Sequence, residues 1–177
     1  MLVLLYLFLL LCAARAQDAS SYANYFSSSL LNIFQLDELV NIENGIVQQL
    51  CNGATGQQVF DNLGPIVVHR IGDQTNAALM TLRSQLINDL GNEAFADGGA
   101  TRAAIAQVLV PMLEDIAQYC GAGGEAVFAE ANNYANQQFA QQFYDQLYQS
   151  ITAVNPNDWP IYRNDFSSCM FFSNYGY

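Results

Sequence analysis

The sequence predicts an all-α protein: a single bundle of about five to six helices followed by an irregular C-terminal tail. Two observations carry this. Apolar residues recur at three- and four-residue spacing over most of the chain, and Gly-containing breaks separate these stripes. A third observation makes the bundle affordable in free energy. Of the 177 residues, 52% are hydrophobic, which is ample apolar surface to offset chain entropy in one domain of this length.

The elements follow in order. Residues 2–11 form a nearly unbroken apolar run, and Ala14-Arg15-Ala16 places small residues three and one before a cut ahead of Gln17, the pattern of a secretory signal peptide over 1–16. The run is too short to span a bilayer. Cleavage there removes Cys12 and Arg15, takes the net charge from -11 to -12 and leaves 161 residues. The helical domain is expected over 17–154. Ser27-Ser28-Ser29 offers N-caps for Leu30, Leu31 and Phe34. Asp37-Glu38 opens a stripe through Leu39, Val40, Ile46, Val47 and Leu50 that ends at Asn52-Gly53, with Gly45 as a point of bending. From Thr55 a further segment carries Val59, Phe60, Leu63, Ile66, Val67 and Ile71, broken or kinked at Gly64-Pro65.

Asp73 is placed to cap a well-patterned helix with Ala77, Leu79, Met80, Leu82, Leu86, Ile87 and Leu90, stopped by Gly91-Asn92. After a turn at Asp97-Gly98-Gly99, Thr101 is the expected cap of a run through Ile105, Val108, Leu109, Met112, Leu113, Ile116 and Cys120, kinked at Pro111 and ended by Gly121-Ala122-Gly123-Gly124. A long last helix is predicted from Glu125 to about Ile151, with Phe128, Ala131, Ala135, Phe139, Phe143, Leu147, Tyr148 and Ile151 on one side. Asn155-Pro156-Asn157 then ends helical structure, and 155–177 is expected to be an extended, aromatic-rich tail. Its closing residues favour self-association, and a strap folded back over the bundle is the alternative.

Charge and composition exclude several function classes. The chain has no lysine, five arginines and sixteen acidic residues, so a phosphate-tracking surface for nucleic acid cannot be built, and an anionic membrane is disfavoured for the same reason. No membrane association is expected once the signal is cleaved. No Asn-x-Ser/Thr sequon is present.

A catalytic reading finds little to stand on. His69, the single histidine, follows Val67-Val68 and reads as a core or boundary residue rather than a general base. Glu114-Asp115 and Asp37-Glu38 are adjacent carboxylates that a helix turns about 100° apart, which suits caps or a solvated face better than acid/base work. One histidine and separated cysteines make no zinc set, so neither metal nor cofactor is expected, and the protein is read as non-enzymatic. A carrier of a small hydrophobic ligand is the alternative function, with Phe128, Phe139, Phe143, Met80 and Met112 as its candidate lining, although a filled core uses the same residues at the same spacing.

The cysteines are the most informative residues. Without Cys12, three remain: Cys51, Cys120 and Cys169, an odd number in an oxidising compartment. Cys51 and Cys120 both end apolar stripes just before Gly-containing breaks, where helix ends can meet, and are paired here as an internal bridge. Cys169 lies in the tail beside Ser167-Ser168 and is the candidate for an intermolecular disulfide. The alternative, in which Cys169 pairs internally and leaves Cys51 or Cys120 free, stays open.

Taken together, secretion, few charges, abundant amides, an odd cysteine and an aromatic tail suit a component of an extracellular solid. The stretch from about 50 to 148, with a cysteine ahead of a helix, Leu63-Gly64-Pro65 with His69 soon after, and Cys120-Gly121-Ala122-Gly123-Gly124 leading into an aromatic- and alanine-containing helix, resembles the light chain of insect silk fibroin. The resemblance implies an internal bridge between Cys51 and Cys120 and a covalent link to a larger fibroin-like chain. That family's linking cysteine follows the glycine-rich turn, where this chain has none, so the linking role passes to Cys169 by analogy of role. The expected partner is therefore a larger structural chain or a second copy, and the expected location is extracellular.

Overall fold

In the computed structural model, residues 34–134 and 136–162 are described, and among them six α-helices and no strand are found. The expected signal peptide over 1–16, Ser27 to Leu31, Ala135, Cys169 and the tail beyond 162 lie outside the described residues. The helices are α1 (Leu36–Cys51), α2 (Gly56–Val68), α3 (Asp73–Leu90), α4 (Ala94–Ala117), α5 (Gly124–Asn133) and α6 (Gln137–Val154). The all-α bundle is thus the fold.

Local chemistry sets the helix starts. Gln35 and Glu38 exchange side-chain-to-backbone hydrogen bonds at the head of α1, and Thr55 and Gln58 do the same at the head of α2, so each pair satisfies two amide groups that the first turn leaves without helical partners. Asn136 caps α6 by accepting from the Phe139 amide. Gly123 holds φ at 99° ahead of α5, a left-handed conformation that other residues rarely adopt.

Central in the bundle is α4, which packs chiefly on α6 and α2. Its buried stripe is Asp97, Thr101, Ala104, Ile105, Val108, Leu109, Leu113 and Ile116. Facing it, α6 buries Phe139, Phe143, Leu147 and Ile151 at four-residue intervals, and α2 buries Val59, Phe60, Leu63, Ile66 and Val67. These are the stripes expected for both helices, except that Tyr148 is exposed on α6 and Ile71 lies half-buried beyond the end of α2. Arg102 of α4 crosses to α2, pairing with Asp61 while its guanidinium lies 4.9 Å from the Phe60 ring centroid.

Several boundaries differ from expectation. Asp97-Gly98-Gly99 forms no turn: α4 runs unbroken through it, and Thr101, expected as a cap, is a buried mid-helix residue. Two glycines cost a helix roughly 1 kcal/mol each, an amount that the packing of so long a helix overrides. Helix α2 likewise continues through Gly64-Pro65 to Val68. The long last helix is divided at Tyr134–Asn136 into α5 and α6, and the new register in α5 buries Val127 while leaving Phe128 only half-buried. Gly72 rather than Asp73 is the N-cap of α3. On α3, Met80 and Ile87 are exposed, as is Val40 on α1, where Ile42 is buried instead.

The start of the tail also differs. Residues 158–162 are helical, and Trp159 and Tyr162 are buried, with the Trp159 ring edge-on to Tyr148 of α6 at 5.2 Å between centroids. The first part of the segment expected to be extended is therefore a helical turn docked on the bundle, because its two large aromatic rings bury apolar area that an extended exposed chain would leave in water.

Candidate functional site

Three arrangements concentrate the chemistry of the described residues: a disulfide joining two helix ends, a buried glutamate at a helix joint, and a buried aspartate pair beneath the C-terminal segment.

Cys51, the last residue of α1, and Cys120, in the 3-10 turn 120–122 beyond α4, are joined across 69 positions with their Cα atoms 5.1 Å apart. In the chain-entropy model a loop of that size constrains the unfolded state by roughly 4 kcal/mol. The head of α2 is drawn into the same corner. Glu114 of α4 accepts from the Gly56 amide at 2.6 Å, and a Cβ on Gly56 would stand 2.7 Å from the Val110 carbonyl oxygen, so the two backbones approach too closely for a side chain there. Asp115, the neighbour of Glu114, accepts from the Tyr134 hydroxyl at 2.6 Å. The two carboxylates face different partners and form no acid/base pair.

Glu38 is buried near the start of α1. One carboxylate oxygen accepts from the Gly72 amide at 2.5 Å, and the other from the Thr75 hydroxyl at 2.8 Å and the Gln35 amide at 2.9 Å. Burial alone would raise the pKa of this carboxyl, but the Gly72 and Gln35 amides and the Thr75 hydroxyl outweigh it and hold the pKa below the usual value. Glu38 thus ties α1 to the joint between α2 and α3 as a fully partnered anion.

The aspartate pair is the opposite case. Asp97 is 0% exposed and Asp158 5% exposed, and neither oxygen of Asp97, nor Oδ2 of Asp158, has a donor. The two side chains lie within hydrogen-bond reach of each other, yet two carboxylates are both acceptors and can bond only if one of them carries a proton. Burial, then the Asp158 side chain as hydrogen-bond partner and as charge, then the charge of Glu93, push the Asp97 pKa up to about 7. Around the pair, Asn155 donates to both Glu93 and Asp158, and Thr101 donates to the Tyr162 hydroxyl at 3.2 Å. Burial pushes the Tyr162 phenol up to about 12, with Asp97 and Asp158 adding to the rise against the opposing Thr101 bond.

The remaining sequence candidates are not brought together. His69 is exposed at the C-cap of α2, not in the core. Of the proposed ligand lining, Phe139 and Phe143 are filled core, Phe128 and Met112 are half-buried, and Met80 faces outward on α3. Met80 borders a shallow open depression of about 480 Å3 whose described wall is α3 alone, with Thr81, Ser84, Gln85, Asn88 and Asp89. No group of three or more His, Cys, Asp or Glu side chains suited to a metal ion is present among the described residues, and no described helix is long and apolar enough to cross a membrane.

Sequence reading missed Asp97 and Asp158 because one stood in an apparent Gly-Gly turn and the other in an apparent tail. The available signal was register: Asp97, Thr101 and Ile105 are four residues apart and continue the α4 stripe toward its N-terminus.

Compared with family models, curated proteins and solved structures, the chain matches none.

Proposed function

We propose that this protein is a secreted, non-enzymatic accessory of silk or a similar extracellular fibre, attached by a disulfide to a larger structural chain. One observation carries the reading. The Cys51–Cys120 bridge uses two of the three cysteines that follow the proposed signal peptide, and the third, Cys169, is the one proposed to link to another chain. The absence of lysine and the low content of charged residues support it, since such a surface suits a protein kept dispersed by net negative charge and then packed into a solid. The proposed partner is a fibroin-like chain, with self-association as the other mode of incorporation.

Non-reducing electrophoresis of material from the native source tests this. The chain should run in a larger species that collapses on reduction, and Cys169→Ser should abolish that species. Migration as a monomer without reductant would sink the proposal.

A further inference from the structure

The observations that carry furthest concern the Asp97 and Asp158 side chains and what stands on them. Both are nine-tenths or more buried, they are acceptor-only when ionised, and three of their four oxygens lack a donor. Asp97 belongs to the central helix α4, whereas Asp158 begins the helical segment 158–162 that carries Trp159 and Tyr162. The groups acting on Asp97 are all acidic or neutral. Asp158 and Glu93 supply negative charge, the Tyr162 phenol lies beside the pair, and the Asn155 amide bridges Glu93 to Asp158. No cation from α3, α6 or any other described element acts on Asp97.

We propose that the Asp97–Asp158 pair is a proton-operated latch on the C-terminal helical segment: a proton shared between the two carboxyls holds 158–162 against α4 and α6, and its loss releases the segment. With one proton present, one carboxyl donates to the other and the pair carries a single negative charge. When that proton passes to solvent, two adjacent buried carboxylates repel each other, Asp97 without a donor on either oxygen and Asp158 without one on Oδ2, a state that burial strongly penalises. The lowest-cost relief is local. Only the short segment 158–162 need leave for Asp158 to reach water, while α4 keeps its place in the bundle. The rise of the Asp97 pKa to about 7 places this transition near neutrality. The inference is independent of the fibre reading, since it concerns only contacts within one chain.

The chain has a single tryptophan, Trp159, inside the released segment, so its fluorescence reads the latch directly. The full chain should show a buried-tryptophan spectrum at about pH 5 and a red-shifted one at about pH 8.5, with unchanged far-ultraviolet helicity, as linkage to one shared proton requires. Asp97→Asn, whose amide can donate to Asp158 at any pH, should keep the buried spectrum at the alkaline end. Asp158→Asn should do the same, and serves if the first variant does not fold. His69→Gln, which removes the chain's single histidine, should leave the transition in place. The proposal is overturned by a spectrum constant with pH, by Asp-to-Asn variants that titrate like the parent, or by loss of the transition in His69→Gln. It is equally overturned by a global loss of helicity, or by calcium chloride restoring the acid spectrum at alkaline pH, which would make the pair a cation site.

Discussion

Glu38 and Asp97 are both carboxyls removed from water, and they differ in what surrounds them. Glu38 receives three donors from two helix starts, Gln35 at α1 and Gly72 and Thr75 at α3, and is stabilised as an anion. Asp97 faces a second carboxyl with no donor in reach, and is stabilised as an acid. Burial pushes both pKa values upward; the count of donors decides the sign of the outcome. The difference teaches that a buried acid in this fold has two uses. At the joint of α1, α2 and α3 it is a permanent tie, and beneath the C-terminal segment it is a tie whose strength depends on pH.

The largest expected effect of a single substitution comes from removing the permanent tie. Glu38→Ala deletes the acceptor for the Gly72 and Gln35 amides and the Thr75 hydroxyl, and should lower unfolding stability by about 3 kcal/mol at neutral pH, measured by urea denaturation. A loss within the range of ordinary surface substitutions would mean that water replaces the carboxylate without cost, and would erase the contrast.

A second effect, of opposite sign and spread over the titration range, is expected at the pair. Because the folded-state pKa of Asp97 is raised from 3.8 to about 7, the native state holds a proton that the unfolded chain releases across that window. Stability should therefore fall as pH rises from about 4 to about 7, by up to roughly 1.4 kcal/mol per pH unit for one proton, and level off above. Glu38 acts the other way. Its lowered pKa gives stability that is present above the ordinary carboxyl value and lost as pH falls through its own. Denaturant midpoints across pH should thus peak on the acid side of neutrality, and Asp97→Asn should flatten the alkaline limb while leaving the acid limb in place. An unchanged alkaline limb in that variant would assign the slope to net charge rather than to the pair.

How much of this was legible depends on which physical signal each part leaves in the chain. Periodicity made the bundle readable, and the stripes of α2 and α6 fall where apolar spacing placed them, because burial of one helix face is written directly into the order of residues. Helix ends were less readable. Gly98-Gly99 and Gly64-Pro65 carry strong local breaking signals, yet tertiary packing carries α4 and α2 through both. The Tyr134–Asn136 break had the reverse character, since Asn136 is a good cap whose signal was hidden inside a run of amides. Glu38 could be read as a helix-start residue, but its hold on Gly72 and Thr75 spans more than thirty positions and leaves no local trace. The burial of Asp97 was legible from its register with Thr101 and Ile105, but its pairing with Asp158 was not, as the two meet only after α4 and the C-terminal segment fold together.

The central claim is that Asp97 carries a proton when most carboxyls have lost theirs, and carbon-13 NMR of the aspartate side-chain carboxyl carbons measures it most directly. Titration of the intact chain, with the Asp97 signal assigned by its absence in Asp97→Asn, should give a midpoint near the value of about 7 set by burial and by Asp158. A midpoint at the ordinary aspartate value of about 3.9 would contradict the account, because the pair would then sit ionised and buried without the penalty on which the latch depends.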